Sequence, residues 1–223
     1  MTITQSFRSW QIAQRRSALP LVQQMASEDR ARQSVARDVH DVVSHHLISA
    51  HLLLGRARSR RMDGDLRNTV DEVAKEIQLA LNDLRSLCFL LNSPFDAEVG
   101  LDTEVQELLS GFAERCNLKV CSRLTRVGSV GDLVHQTIVR VLQEALSNIF
   151  RHAKATEVGC SLRRRDRSLN LIVHDNGAAS KDKFRPGVGV SSMMARVEEL
   201  GGQFRLRFGT RGTTVAVRIP LPA

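Results

Sequence analysis

The sequence predicts two parts in tandem: an α-helical hairpin that pairs with a second copy of itself as a dimeric four-helix bundle, followed by an α+β domain. Three observations carry this. Two long segments repeat apolar residues every three or four positions, a Pro-marked break follows them, and beyond the break helical and strand patterns are mixed. With 223 residues and 42% hydrophobic content the chain has material for one or two cores, which excludes disorder or low complexity as its main description.

The first helical stripe runs from Ala36 through Val39, Val43, Leu47, Ala50, Leu53 and Ala57. The second comprises Val70, Val73, Ile77, Leu81, Leu84, Cys88 and Leu91. Between them RSRRMDGDL supplies a Gly and a cluster of charges, a turn that folds the helices back on each other. A two-helix hairpin cannot bury an apolar seam alone, and a second copy is the usual remedy, so a homodimer is expected. Pro94 disfavours helical backbone at the residue before it and ends the second helix. The expected organisation is an extension over 1–27, a helical part over 28–94 and an α+β part over 95–223.

Beyond the break the patterns predict a helix over about 102–115, a strand over about 118–124 and a helix over about 133–152. Strands follow near 157–163 and 169–174, then a Gly-rich loop, a helix over about 190–200, and strands near 203–208 and 213–219. Largely hairpin-joined strands mixed with helices place the helices on one face of a mixed sheet. Arg164-Arg165-Asp166-Arg167 reads as a solvated hairpin tip.

A net charge of +8 invites an anionic ligand or nucleic acid, with solvated arginine as the plain alternative. Aromatics at 4%, with no Tyr, leave few stacking platforms for single-stranded nucleic acid. No segment approaches the roughly 20 apolar residues of a membrane helix, and the first residues lack a signal-peptide core, so a cytoplasmic protein is expected. Cys88, Cys116, Cys121 and Cys160 form no CxxC pair and are expected as reduced, mostly buried thiols.

Four stretches carry chemistry. In RDVHDVVSHHL, His40 sits about 100° round the helix from Val39, at the edge of the seam, where a neutral imidazole is a competent nucleophile. Asp41 can hold one ring nitrogen protonated, and His45 lies one turn after Asp41; a surface histidine or a metal site are the competing interpretations. In QEALSNIFRHA, Glu144, Asn148, Arg151 and His152 recur at helical spacing opposite Leu142, Ala145, Leu146 and Ile149. The amide oxygen of Asn148, one turn after an acid, suits a hydrated Mg²⁺ that bridges phosphates, although an ordinary amphipathic helix has the same pattern.

In VHDNG, Asp175 lies just past a strand, where its carboxylate can accept a hydrogen bond from an exocyclic amine; a type I′ turn at Asn176-Gly177 is the alternative. RPGVGVSSMMAR is a Gly-rich loop running into a helix N-terminus that favours phosphate. Finally, GTRGTTV makes a tight turn into the last strand, as any hairpin would.

Singly these are weak; in order they are specific. RQSVARDVHDVVSHHL, QEALSNIFRHA, VHDNG, GVGVSSMMARVEELGG and GTTVAVRIPLP together resemble a bacterial two-component sensor histidine kinase, of the subfamily of the nitrate and membrane-fluidity sensors, over about residues 28–221. The resemblance implies that the α+β part is an ATP-binding sandwich of the gyrase and histidine-kinase type. It implies autophosphorylation at His40, transfer to an Asp of a response regulator, and phosphatase activity as a second capacity.

Residue by residue, it implies that Asp41 orients His40 and that His45 positions a water for dephosphorylation. Asn148 matches the Mg²⁺ ligand with Glu144 beside it, and His152 lies near the phosphates of ATP. Asp175 matches the adenine-binding carboxylate, Gly177, Gly187 and Gly189 the glycines of the ATP lid, and Thr213 the adenine pocket. The partners implied are a second copy and a receiver domain, with no direct nucleic acid.

Two positions depart from the pattern: Ala179 stands where a further Gly is usual, and Val190 where Leu is. About 27 residues precede the phosphoacceptor helix, too few for a sensor domain. A separate sensor protein is one source of input, and Trp10–Met25 is read as a helical extension, a docking segment or a tail. The competing function is a histidine phosphotransfer or adaptor protein whose nucleotide domain is only a scaffold. Retention of Asn148, Asp175, Gly187 and Gly189 favours the kinase, while Ala179 stands against it.

Overall fold

The computed structural model describes residues 34, 38–39, 41–58, 63–92, 99–178 and 188–222. Residues 41–58 form helix α1, and α2 spans Gly64–Asn92. Asp63 opens α2 by accepting the Leu66 N–H at 2.8 Å, which satisfies one of the unpaired donors of the first turn. Arg58 Nε lies 2.6 Å from Asp71 Oδ1 across the hairpin. At its other end the negative charge of Asp41 acts on the Cys88 thiol. The two pairs have the same separation along both helices, so the hairpin is antiparallel with constant register.

The hairpin buries little by itself. Ala74, Leu81, Ser86, Cys88 and Leu90 of α2 are buried, and Ser44 is buried on α1. Val42, Val43, Ile48, Leu52, Leu53, Leu66, Val73 and Leu79 remain exposed. The expected stripe is thus only partly covered in a single chain: Leu81 and Cys88 are inside, whereas Val43, Leu53 and Val73 face solvent.

Helix α3, Leu101–Cys116, buries Leu101, Val105, Leu108, Leu109 and Phe112. It ends at Asn117, whose left-handed φ of 50° lets its N–H return to the Ala113 carbonyl. The end of α2 packs against it: a Cβ at Gly111 would overlap the Phe89 ring, and the Arg115 guanidinium sits 4.0 Å from that ring's centroid.

Five strands follow: β1 Lys119–Leu124, β2 Glu157–Arg165, β3 Ser168–Asp175, β4 Gln203–Gly209 and β5 Gly212–Pro220. Their order is β1-β2-β3-β5-β4, with β1 parallel to β2 and the other pairs antiparallel. The parallel pair needs a crossover, which α4, Asp132–Asn148, provides. Helix α5, Val188–Glu199, joins β3 to β4. Alternation turns Val158, Cys160, Leu162, Leu169, Leu171, Val173, Val215, Val217 and Ile219 to one face, and these pack with α3, α4 and α5 into one core. This is the expected mixed sheet with helices on one side.

Helix α4 lies deeper than an amphipathic pattern suggests, burying even Thr137, Arg140, Gln143 and Ser147. At its start His135 Nε2 meets Glu104 Oε2 at 2.7 Å in the α3–α4 interface. The expected continuous helix to 152 is different at its end: after Asn148 the chain makes a π turn over Ile149–Ala153, closed by Lys154 at φ 50°. Of the cysteines, Cys88 and Cys160 are buried, Cys116 is half-buried and Cys121 is exposed on β1. Burial pushes the Cys160 thiol up to about 12, and burial followed by the Asp41 charge raises that of Cys88. Among the described residues no helix is long and apolar enough to cross a membrane.

Candidate functional site

Three glycines where no side chain fits tie four segments together at one end of the helix-covered sheet face. A Cβ on Gly177 would run into the Ala153 carbonyl, one on Gly189 into the Glu144 carboxylate, and one on Gly212 into the Asp175 carbonyl. The end of α4, the segment after β3, the start of α5 and the start of β5 therefore converge.

On α4 the Asn148 Nδ2 donates to Glu144 Oε1 at 3.3 Å. That bond turns one of the amide's N–H donors to the acid one turn earlier and leaves Asn148 Oδ1 without a partner among the described residues. Both side chains are half-buried, whereas Arg151 and His152 are exposed on the π turn. Arg151 donates to Ser147 Oγ, with Nη2 at 2.6 Å. The π turn brings the Ala153 carbonyl to the segment after β3, where it accepts the Ala178 N–H at 2.9 Å. A wide turn of this kind inside a helix is often found at functional sites.

Asp175 ends β3 and is buried, with 3% of its surface exposed. Its Oδ1 accepts the Gly177 N–H at 2.8 Å, and Oδ2 has no partner among the described residues. A buried carboxylate with one oxygen open is a recognition group for an N–H donor. Val173 pairs with Val215, so two residues further on Asp175 and Thr213 project from adjacent strands to the same face. The type I′ alternative fails, since that turn needs positive φ at both central residues and neither Asn176 nor Gly177 has it. Gly177 is required by the closeness of Ala153 instead.

Asn176 has a different job from its neighbours. Its Oδ1 accepts the N–H groups of Thr156 and Glu157, both at 2.9 Å, and its Nδ2 donates to Thr156 Oγ at 2.9 Å. It clamps the start of β2 to the end of β3. From the sequence Asn176 and Gly212 read only as turn residues. The signal for Gly212 was a Gly directly preceding a β-branched strand; the signal for Asn176 was its place between an acid and a Gly at a strand end.

Asp41 and His45 belong to the hairpin and are exposed, and the contacts that join the cluster above do not include them. The His45 and His46 rings meet edge to face at 6.2 Å. His40 and Gly187 lie outside the described residues, as do Ala179, Pro94 and the extension over 1–27. Among the described residues no three His, Cys, Asp or Glu side chains gather as a metal cage.

This arrangement matches known families. Residues 31–96 match the family described as histidine kinase, and residues 134–223 match the histidine kinase-, DNA gyrase B- and HSP90-like ATPase family. Together they cover more than half of the chain. The chain belongs to the histidine kinases.

Among its relatives, the sensor histidine kinase LiaS of Bacillus subtilis is 29% identical over 222 residues, covering 95% of this chain and 58% of that protein. The sensor protein VraS of Staphylococcus saprophyticus is 28% identical over 193 residues, covering 85% of this chain and 55% of that one. The chain thus spans somewhat over half the length of these relatives. The histidine kinase domain of the Erythrobacter litoralis EL346 blue-light activated histidine kinase superposes with a TM-score of 0.51 at 18% identity, over 79% of this chain and 94% of that one. That likeness supports the fold.

Proposed function

We propose that this chain is the catalytic core of an ATP-dependent, autophosphorylating protein histidine kinase that passes the phosphoryl group from His40 to an Asp of a response regulator. The observation that carries the reading is the convergence of Asn148, Glu144 and Asp175 on one end of the sheet, held by glycines that admit no side chain. The division proposed is an extension over 1–27, a dimerisation and phosphotransfer part over 28–94 and an ATP-binding part over 95–223.

The residues present fit the groups required. The open Oδ2 of Asp175 accepts the exocyclic amine of adenine, with Thr213 beside it on β5. The free Oδ1 of Asn148 suits Mg²⁺, and the tie to Glu144 holds that amide in orientation. When bound, Mg²⁺ spreads the charge of the phosphates. His152 is exposed on the π turn and supplies a donor toward phosphate, while Gly177, Gly187 and Gly189 shape the lid over the nucleotide.

In the reaction a ring nitrogen of His40 attacks the γ-phosphorus in line. Its bond to phosphorus forms as the bond to the bridging oxygen of ADP breaks. Asp41 holds the proton on the other ring nitrogen and orients the imidazole. The phosphoryl group then moves to a receiver carboxylate, its bond to the His40 nitrogen breaking as the bond to the carboxylate oxygen forms; in the separate phosphatase reaction His45 positions a water that attacks the receiver's acyl phosphate and releases inorganic phosphate.

The exposed apolar residues of α1 and α2 support a homodimer, in which two hairpins bury Val42, Ile48, Leu52 and Leu53 as a four-helix bundle. A cytoplasmic location completes the reading. The test is incubation with γ-labelled ATP and Mg²⁺. Label on the wild type that is absent from His40→Gln is expected. Label that persists in His40→Gln overturns the phosphoacceptor assignment, and absence of both label and nucleotide binding overturns the kinase in favour of a phosphotransfer protein.

A further inference from the structure

The helices cover one face of the sheet, and among the described residues the other face is open. Strand alternation and register determine what it presents. One row across the strands reads Arg123, Ser161, Ile172, Ala216 and Arg205 from β1 to β4. The neighbouring row on one side ends at Arg207, and the row on the other contains Arg163 and Arg218. Arg165 extends the same face toward the β2–β3 turn. Arginine thus stands on both edge strands, β1 and β4, and on β2 and β5, which flank the central β3.

None of these arginines makes an ion pair among the described residues. The strands place a single carboxylate on this face, Glu157, and it lies 3.5 Å from Lys119. Asp175, the other strand carboxylate, points to the helix side. Positive charge is therefore concentrated where no carboxylate among the described residues pairs with it. The candidate nucleotide residues lie on the opposite face, so a partner on the open face leaves them accessible.

We propose that this open sheet face docks on an anionic lipid bilayer. Its breadth and chemistry select that occupant. Five strands make a face about 19 Å wide, and when it lies against a charged plane each of its arginines comes within a Debye length of about 8 Å and adds its own attraction. The sheet's twist is tolerated because screened attraction to headgroups does not require atomic fit. A protein partner needs buried aromatic or aliphatic anchors at its centre. Here the phenylalanines of β4 turn inward and Ile172 is the one large apolar side chain exposed on the face. Major-groove reading of duplex DNA needs a projecting helix or two-stranded ribbon, and sheets that bind the minor groove insert apolar wedges, of which this face offers only Ile172 among the described residues.

The experiment is co-sedimentation of the full chain with vesicles of phosphatidylcholine alone, or with about 30 mol% phosphatidylglycerol, at low and high salt. Binding is expected only with phosphatidylglycerol, and it weakens as salt rises. Arg205→Glu with Arg207→Glu is expected to lower the vesicle partition coefficient about tenfold or more. Arg67→Glu with Lys75→Glu on α2 makes the same change in net charge away from the face, and is expected to leave it within about twofold. Should the β4 pair fail to fold, Arg123→Gln with Arg165→Gln samples the other side and is expected to weaken binding in the same direction.

No phosphatidylglycerol-dependent binding, equal loss in the α2 control, or unchanged binding in folded face variants overturns the proposal. Tighter binding to poly-glutamate than to these vesicles overturns it in favour of an acidic protein partner. Tighter binding to a short DNA duplex does so in favour of nucleic acid.

Discussion

The α-carbon of Gly212 lies so close to the carbonyl of Asp175 that a methyl group there would overlap it, and Gly212 holds φ at 107°. One contact thus sets the position of the strand end that bears the buried carboxylate. Gly212→Ala meets both a steric and a conformational penalty. Destabilisation of about 2–4 kcal/mol is expected from urea unfolding, together with weaker ATP binding by calorimetry. An unchanged midpoint would show that β5 shifts away at little cost.

The α3–α4 interface contains the buried pair Glu104 and His135, at 6% and 5% exposure. His135→Ala leaves a carboxylate in the core without its hydrogen-bond partner. A loss of about 3–5 kcal/mol is expected, whereas the double change Glu104→Leu, His135→Leu recovers most of it because no unpaired polar group remains buried. Urea midpoints of the two variants check this. Equal losses would point to packing rather than charge.

Cys160 gives a pH dependence with a definite sign. Its thiol is raised to about 12 by burial, above the ordinary value of 9.0. The folded state therefore keeps its proton where the unfolded chain has lost it. Stability is complete below pH 9 and is lost as pH rises toward 12, with a slope of about 1.4 kcal/mol per pH unit from this group. Cys160→Ala is expected to flatten that slope in urea melts between pH 8 and 11. On the same grounds Cys160 resists alkylation at pH 8 while exposed Cys121 reacts.

Leu52 and Leu53 stand 60% and 63% exposed on α1, an arrangement that a lone hairpin does not explain. Leu52→Glu with Leu53→Glu is expected to convert the dimer to monomer in sedimentation equilibrium while the helix content by circular dichroism falls by less than about a tenth. A wild-type monomer at micromolar concentration would remove the bundle from the proposed function.

Much of this fold was legible because its signals are local. The stripe through Leu81 and Cys88, the alternation through Leu169, Leu171 and Val173, and the Gly-Thr entry to the last strand each report their own element. The end of α4 was not legible, since no residue between Ile149 and Ala153 breaks a helix; the π turn there accompanies Ala153's bond to Ala178, far along the chain. Asn176 was likewise opaque. Asn-Gly favours a tight turn in isolation, and only the nearness of Thr156 and Glu157 shows that its side chain fastens two strands.

The sequence by itself determined the division into a helical hairpin and an α+β part, the choice of candidate residues for the proposed chemistry, and the excess of positive charge. These follow from periodicity, motif order and composition, which need no knowledge of distant neighbours. Only the tertiary structure decided which glycines are obligatory for contact, that Asp175 is buried with one oxygen open, and that the arginines of four strands share one uncovered face. Those properties depend on strand order and register, and pairing across the sheet brings together residues that the chain keeps far apart.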